Sequence, residues 1–229
     1  MNHRIAMTAA VTAALVSLTA GAASAAPVQD TGRAGQSCEG IRLTGELPAP
    51  PAGQAVRQQI TIGPDCKPEP GPVEHVAATG AAPSAKALLA APAANAAAGH
   101  QVRSWNEMFD CCNIRMTGVY TTSAWSTDGG RVTTAATTAT QQWNREPWDA
   151  GWSLKSASAK DDCTTDCPVV NSEAHADFTY RGIFDVTGAW YENTHHSSVR
   201  LNADATATCT FDVELKHSFV GWNWQRGCE

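Results

Sequence analysis

Charge is scarce in this chain, and positive charge is the scarcest. Asp, Glu, Lys and Arg make up 17% of its 229 residues, against about a quarter in ordinary globular proteins. The shortage is uneven. From Ser104 to the end there are nine Lys and Arg against sixteen Asp and Glu, a net charge of −7, whereas 26–103 is balanced at six against six. An acidic region without a basic run repels phosphate backbones, which excludes nucleic acid as a partner. The same sign argues against an anionic membrane surface. Past the first 25 residues no apolar run is long enough to cross about 30 Å of hydrocarbon. There is no helix-period stretch, and the common catalytic signatures are missing too. The chain has no G-x-S-x-G, no H-E-x-x-H and no glycine-rich phosphate loop between a strand and a helix, so the sequence names no nucleophile.

Alanine, threonine, serine and glycine fill the space that charge leaves. The first 25 residues read as a secretory signal peptide. His3 and Arg4 give a weak positive start, small and apolar residues follow, and Ala23-Ser24-Ala25 is an A-x-A cleavage site. Cutting after Ala25 avoids a first mature residue of Pro27. No cysteine stands there to take a lipid. The expectation is a secreted, extracellular, soluble protein.

All eight cysteines lie beyond that segment: Cys38, Cys66, Cys111, Cys112, Cys163, Cys167, Cys209 and Cys228. An even number in an exported chain reads as a disulfide framework. Cys38 and Cys66 stand alone before a Pro/Ala-rich stretch and should pair. Cys209 and Cys228 flank what reads as a terminal hairpin and should pair. A bond between the neighbours Cys111 and Cys112 closes a strained ring, so two cross-links from 111–112 to 163–167 are favoured over the local pairs 111 to 112 and 163 to 167. The four thiols also match zinc's ligand count. Export and the adjacent pair argue against that use, and no metal or cofactor is expected.

The predicted fold is all-β, a disulfide-stabilised antiparallel β-sandwich or small barrel. The expected organisation is a signal peptide (1–25), a short two-strand segment closed by a disulfide (26–66), an Ala/Pro-rich linker (67–103) and the main β domain (104–229). Ile41–Thr44 and Gln58–Ile62 are the two early strands. Two strands and one bridge cannot stand alone, so they are edge strands of the main domain or a pro-segment. In the second case a cut in the linker frees a domain beginning near Arg103. Asn106–Phe109 reads as a helical turn. After it, seven or eight strands are separated by turn signals such as Asp128-Gly129-Gly130. The clearest strand is 209–219, where Cys209, Phe211, Val213, Leu215, His217 and Phe219 share one face. That makes His217 a core or rim histidine.

Two sets of residues are candidates for chemistry. Glu173, His175 and Asp177 alternate along one strand, so their side chains share a face, where carboxylates flanking an imidazole can orient a general base or hold a cation. His195 and His196 lie on another strand with their rings on opposite faces, so one of them can meet His175 if the strands are neighbours. The second set is aromatic. Of eight tryptophans, Trp148 and Trp152, in the loop around Pro147 and Gly151, are expected near the surface as a ligand-binding patch. Trp222 and Trp224 should be buried.

Three functions fit these features. The first is an extracellular binding or interaction module for polysaccharide or protein, and the balance of the sequence leans towards it and away from an enzyme. The second is a secreted hydrolase or metal-dependent enzyme using the Glu/His/Asp strand face. The third is a protease inhibitor or structural surface protein with a bridged, rigid loop at Asp161–Pro168.

Overall fold

The computed structural model describes residues 36–78, 99–144, 151–181 and 190–229. The signal segment, the Ala-rich centre of the expected linker, Trp148 and the stretch around Ile183-Phe184 lie outside them. The described chain forms twelve strands: β1 (Ser37–Pro48), β2 (Gln54–Ile62), β3 (Pro68–Ala77), β4 (His100–Phe109), β5 (Arg115–Thr127), β6 (Val132–Trp143), β7 (Ser153–Asp161), β8 (Thr165–Cys167), β9 (Val169–Arg181), β10 (Trp190–Asn202), β11 (Ala207–Phe219) and β12 (Asn223–Cys228). A five-stranded sheet runs β1-β11-β10-β9-β7 and a seven-stranded sheet runs β3-β2-β12-β4-β5-β6-β8. Every pairing is antiparallel. Among the described residues no helix is long and apolar enough to cross a membrane.

The sheets pack face to face as a sandwich, and alternation decides what lies between them. Phe211, Val213 and Leu215 of β11 point inward beside Leu43 and Leu47 of β1, Phe178 of β9 and Leu201 of β10. Val56, Ile60, Val102, Met108, Val119 and Trp224 come from the other sheet. Trp222 and Trp224 are buried, at 7% and 0% exposure. The β11 alternation slips at its end, where Ser218 is buried and His217 sits half-buried at the rim with its ring edge-on to Tyr191.

The early strands are integral to both layers. β1 closes the edge of the five-stranded sheet against β11, and β2 lies between β3 and β12 in the other. β3 occupies 68–77, where a linker is expected from composition, and β4 begins at His100. Asn106–Phe109 is the end of β4 and not a helical turn, because pairing with β5 and β12 on both sides fixes it extended.

Three disulfides brace the layers. Cys38–Cys66 ties β1 to the loop after β2, as expected. Cys209–Cys228 also pairs as expected, but β11 and β12 belong to different sheets and are no hairpin. Gly221, at φ 89°, turns the chain from one layer to the other, and the disulfide joins them. The third bond is Cys163–Cys167. Cys111 and Cys112 are free, which overturns the favoured cross-links between the two regions. They sit before the start of β5, while Cys167 pairs with Val132 beyond its far end. The 13 residues of β5 hold these groups about 40 Å apart at ~3.3 Å per residue.

One inward side chain is out of place. Arg226 of β12 is buried at 6% exposure, over the Trp224 ring at 4.8 Å. Its guanidinium fills the space above Gly45 of β1, where any Cβ would overlap it. Nη2 donates to Gln58 Oε1, while Nε and Nη1 have no partner. Burial lowers its pKa. A buried cation with no carboxylate costs more in desolvation than one amide oxygen returns. Arg226→Met keeps the aliphatic stem and removes the charge, so it should raise the unfolding free energy by about 1–2 kcal/mol. Urea denaturation followed by tryptophan fluorescence measures this, and a loss of stability would show that the charge is compensated.

Candidate functional site

The outer face of the five-stranded sheet carries the titratable candidates. β9 and β10 are neighbours with His175 directly opposite His196. The two rings meet edge to face at 6.3 Å. His175 Nε2 lies 3.2 Å from Asp177 Oδ2. Asp177 also accepts from Ser156 Oγ at 2.5 Å and Thr194 Oγ1 at 2.8 Å. Partial burial pushes the Asp177 carboxyl up, but the hydrogen bonds from Ser156, Thr194 and His175 outweigh it and hold the pKa below the usual value. Glu173 shares the face but turns to Lys160 Nζ at 3.0 Å.

The fold thus brings together His175, His196 and Asp177 and leaves Glu173 to a surface ion pair. His195 is removed altogether, since it points inward and is fully buried. Chemically the trio is a carboxylate-oriented imidazole beside a second imidazole. It can pass a proton, but the Ser156 hydroxyl donates to the carboxylate and not to the ring. Among the described residues no group of three or more His, Cys, Asp or Glu is arranged to hold a metal ion.

His195 belongs to a polar seam between the sheets. Its Nε2 lies 2.8 Å from Thr117 Oγ1 and its Nδ1 3.1 Å from Asn106 Oδ1. Trp224 Nε1 donates to the same Asn106 oxygen at 2.7 Å, and Asn193 Nδ2 donates to Thr117 at 3.0 Å. Asn106 Nδ2 reaches the carbonyls of His196 and Asp212. Burial drives the His195 pKa down to about 3, so the ring is a neutral structural link.

The aromatic expectation also changes. Trp152 is not at the surface: at 2% exposure it packs on Tyr180 at 5.6 Å. The residue before β7 points into the sandwich, so Trp152 offers no platform to a ligand. Among the described residues Trp105, which the sequence does not single out, meets solvent in a concave site. It is half-buried on the outer face of the seven-stranded sheet, opposite Gly227 on β12. A Cβ on Gly227 would fall 1.9 Å from the indole, so the ring lies across β12 in the space that a missing side chain leaves.

That ring forms one wall of a groove of about 630 Å³ crossing β3, β2, β12 and β4. Gln59, Thr61, Gln225 and Asn113 line it with amides and a hydroxyl. Gln225 Nε2 donates to Asn113 Oδ1 at 3.1 Å. Arg57 and Glu74, ion-paired at 2.8 Å, stand at one side. Tyr120, opposite Trp105 on β5, donates its hydroxyl to Glu107 Oε1 and accepts from Arg115 at 2.9 Å. Burial first, and then the Glu107 carboxylate, push its phenol above the ordinary pKa. The lining comes from strands far apart in sequence, so the only local sign was an exposed-parity Trp facing a strand glycine. No protein family, characterised protein or solved structure matches this chain.

Proposed function

We propose that the protein is an extracellular polysaccharide-binding module, and that the groove on the outer face of the seven-stranded sheet holds the sugar chain. The observation that carries this reading is Trp105, laid across Gly227 in a groove whose lining also holds the amides of Gln59, Gln225 and Asn113, the hydroxyl of Thr61 and the charged Arg57, Glu69 and Glu74. A sugar ring has an apolar C–H face, which stacks on an indole, and a rim of hydroxyls, which bond planar amides. Gln59, Gln225 and Asn113 supply such amides beside the ring. The volume lies within the range of small-ligand sites. Three disulfides suit an extracellular setting. The titratable trio on the other sheet lies on an outer strand face where, among the described residues, no hydroxyl nucleophile is hydrogen-bonded to its imidazoles, which supports binding over hydrolysis.

The test is retention on insoluble polysaccharides and affinity electrophoresis through soluble ones. Trp105→Ala should weaken binding by about ten- to a hundredfold, the 1.4–3 kcal/mol of an aromatic hot spot. Gly227→Ala, which forces the indole to move, should weaken it as well. Failure to bind any of a broad panel, or binding that ignores both substitutions, would overturn the assignment.

A further inference from the structure

We propose that Cys111 and Cys112 form a reversible vicinal dithiol–disulfide couple that exchanges with low-molecular-weight disulfides. Six of the eight cysteines are bonded within the sandwich, and these two exposed thiols remain, with Sγ atoms 3.5 Å apart. No other cysteine is left to pair with them.

The turn that carries them is held without the help of sulfur. Asp110 Oδ1 accepts from the amides of Cys112 and Ile114, both at 2.8 Å. Asp110 N donates to Ile114 O at 3.0 Å, and Asn113 takes the left-handed conformation at φ 61°. From outside, Asn223 Nδ2 bonds Asp110 O at 3.2 Å and Gln225 Nε2 bonds Asn113 Oδ1 at 3.1 Å. The two sulfurs therefore stay side by side whether or not they are joined.

Closing the ring is possible and easily reversed. Neighbouring Cα atoms stand about 3.8 Å apart across a trans peptide, below the roughly 4.4–6.8 Å that a relaxed disulfide spans. The three bonded pairs lie inside that range, at 5.5, 6.3 and 6.2 Å. A strained, exposed bond is the more readily reduced. In the forward direction one cysteine loses its proton and its thiolate attacks a sulfur of R–S–S–R, expelling one RS⁻. The second thiolate then attacks the protein sulfur of that mixed disulfide and expels the other. Two protein thiols are oxidised, one external disulfide is reduced, and the two thiol protons end on two R–SH. The hydrogen bond to Cys112, together with burial, holds the Cys111 thiol above its usual pKa, so exchange should quicken above neutral pH.

The purified full-length protein, equilibrated in graded mixtures of reduced and oxidised glutathione and then alkylated, tests this by peptide mass mapping. Cys111 and Cys112 should be labelled together or not at all. Their midpoint should fall at a glutathione ratio at least about tenfold less reducing than that of the other three bonds. The reduced protein should bind one equivalent of a trivalent arsenical, and Cys112→Ser should abolish this while keeping the native tryptophan fluorescence. Independent labelling of the two sites would overturn the proposal. So would persistence of both thiols in excess oxidised glutathione, a stable glutathione adduct on either one, or a bond from either to a second copy of the chain.

Discussion

A chain that begins at Arg103 should not fold. Such a chain keeps nine of the twelve strands, four of the five-stranded sheet and five of the seven-stranded one, yet loses β1, β2 and β3 together. Those strands carry Leu43, Leu47, Val56, Ile60 and Ile62, none more than 6% exposed. At about 2 kcal/mol for each buried aliphatic side chain, their loss removes ~10 kcal/mol, comparable with the whole stability of an ordinary domain. It also bares the edges of β11 and β12, and unpaired edges next to exposed apolar faces invite aggregation. Expression of 103–229 should give insoluble protein, or a product without near-ultraviolet dichroism, while 36–229 should give a folded one. A well-dispersed, cooperatively unfolding 103–229 would show that the early strands are an accessory. A proteolytic cut between 79 and 98 is a different matter. No disulfide among the three joins the two sides of that cut, but the strand pairings do. The nicked fragments should elute together from gel filtration and separate only in denaturant, without reducing agent.

The misreading of 68–77 has a definite physical origin. Pro68, Pro70 and Pro72 remove backbone donors, which argues against a central strand. On the outermost strand of a sheet one side needs no partner, and β3 is that strand. Composition could not distinguish a proline-rich tether from a proline-guarded edge. Turn chemistry and alternation were more informative elsewhere. Asp128-Gly129-Gly130 does make the turn between β5 and β6, with Asp128 Oδ1 accepting from the amides of Gly130 and Arg131 at 2.9 and 2.8 Å. The shared face of His175 and Asp177 was legible from spacing alone. Which of His195 and His196 joins them was also encoded, though faintly. Of the apolar residues of β10, Tyr191, Val199 and Leu201 have the parity of His195, and only Trp190, at the strand's start, has the other. The residues between them on that face, Asn193, His195 and Ser197, are polar, and they hide the pattern. Ser104 with Thr121, and Thr137 between Ser123 and Ser172, repeat the lesson, because these hydroxyls bond one another inside the sandwich. In a chain so rich in Ser and Thr, polar does not mean outward. The groove was barely legible, since register brings Arg57, Gly227 and Trp105 into one row from three separate parts of the sequence.

The same seam should make the protein acid-labile well above the range where carboxylates titrate. His195 accepts from Thr117 at Nε2 and donates from Nδ1 to Asn106, an arrangement open to the neutral ring. Protonation would put a donor where Thr117 now donates, and a charge in a fully buried site. Burial therefore holds the folded-state pKa at about 3, against an unfolded value of about 6.5. Because the folded value is the lower one, the unfolded chain binds the extra proton across this window. The contribution of His195 is fully present above pH ~6.5 and is lost as the pH falls towards ~3, at about 1.4 kcal/mol per pH unit. By pH 4.5 the loss should reach about 2–3 kcal/mol. Asp177 and the other carboxylates whose pKa is lowered on folding begin to contribute only nearer their own, lower range, so they do not produce a slope between pH 6.5 and 4.5. Urea unfolding at successive pH values, read by fluorescence, should show that slope, and His195→Gln should flatten it by one proton's worth while costing stability at pH 7. A wild-type curve level across the interval, or a slope that survives the substitution, would mean that the ring finds a way to be charged in place. In that event the seam joining Asn106, Thr117, Asn193 and Trp224 would have to open or rearrange around the charge, and would no longer be the closed link between two sheets that its hydrogen bonds describe.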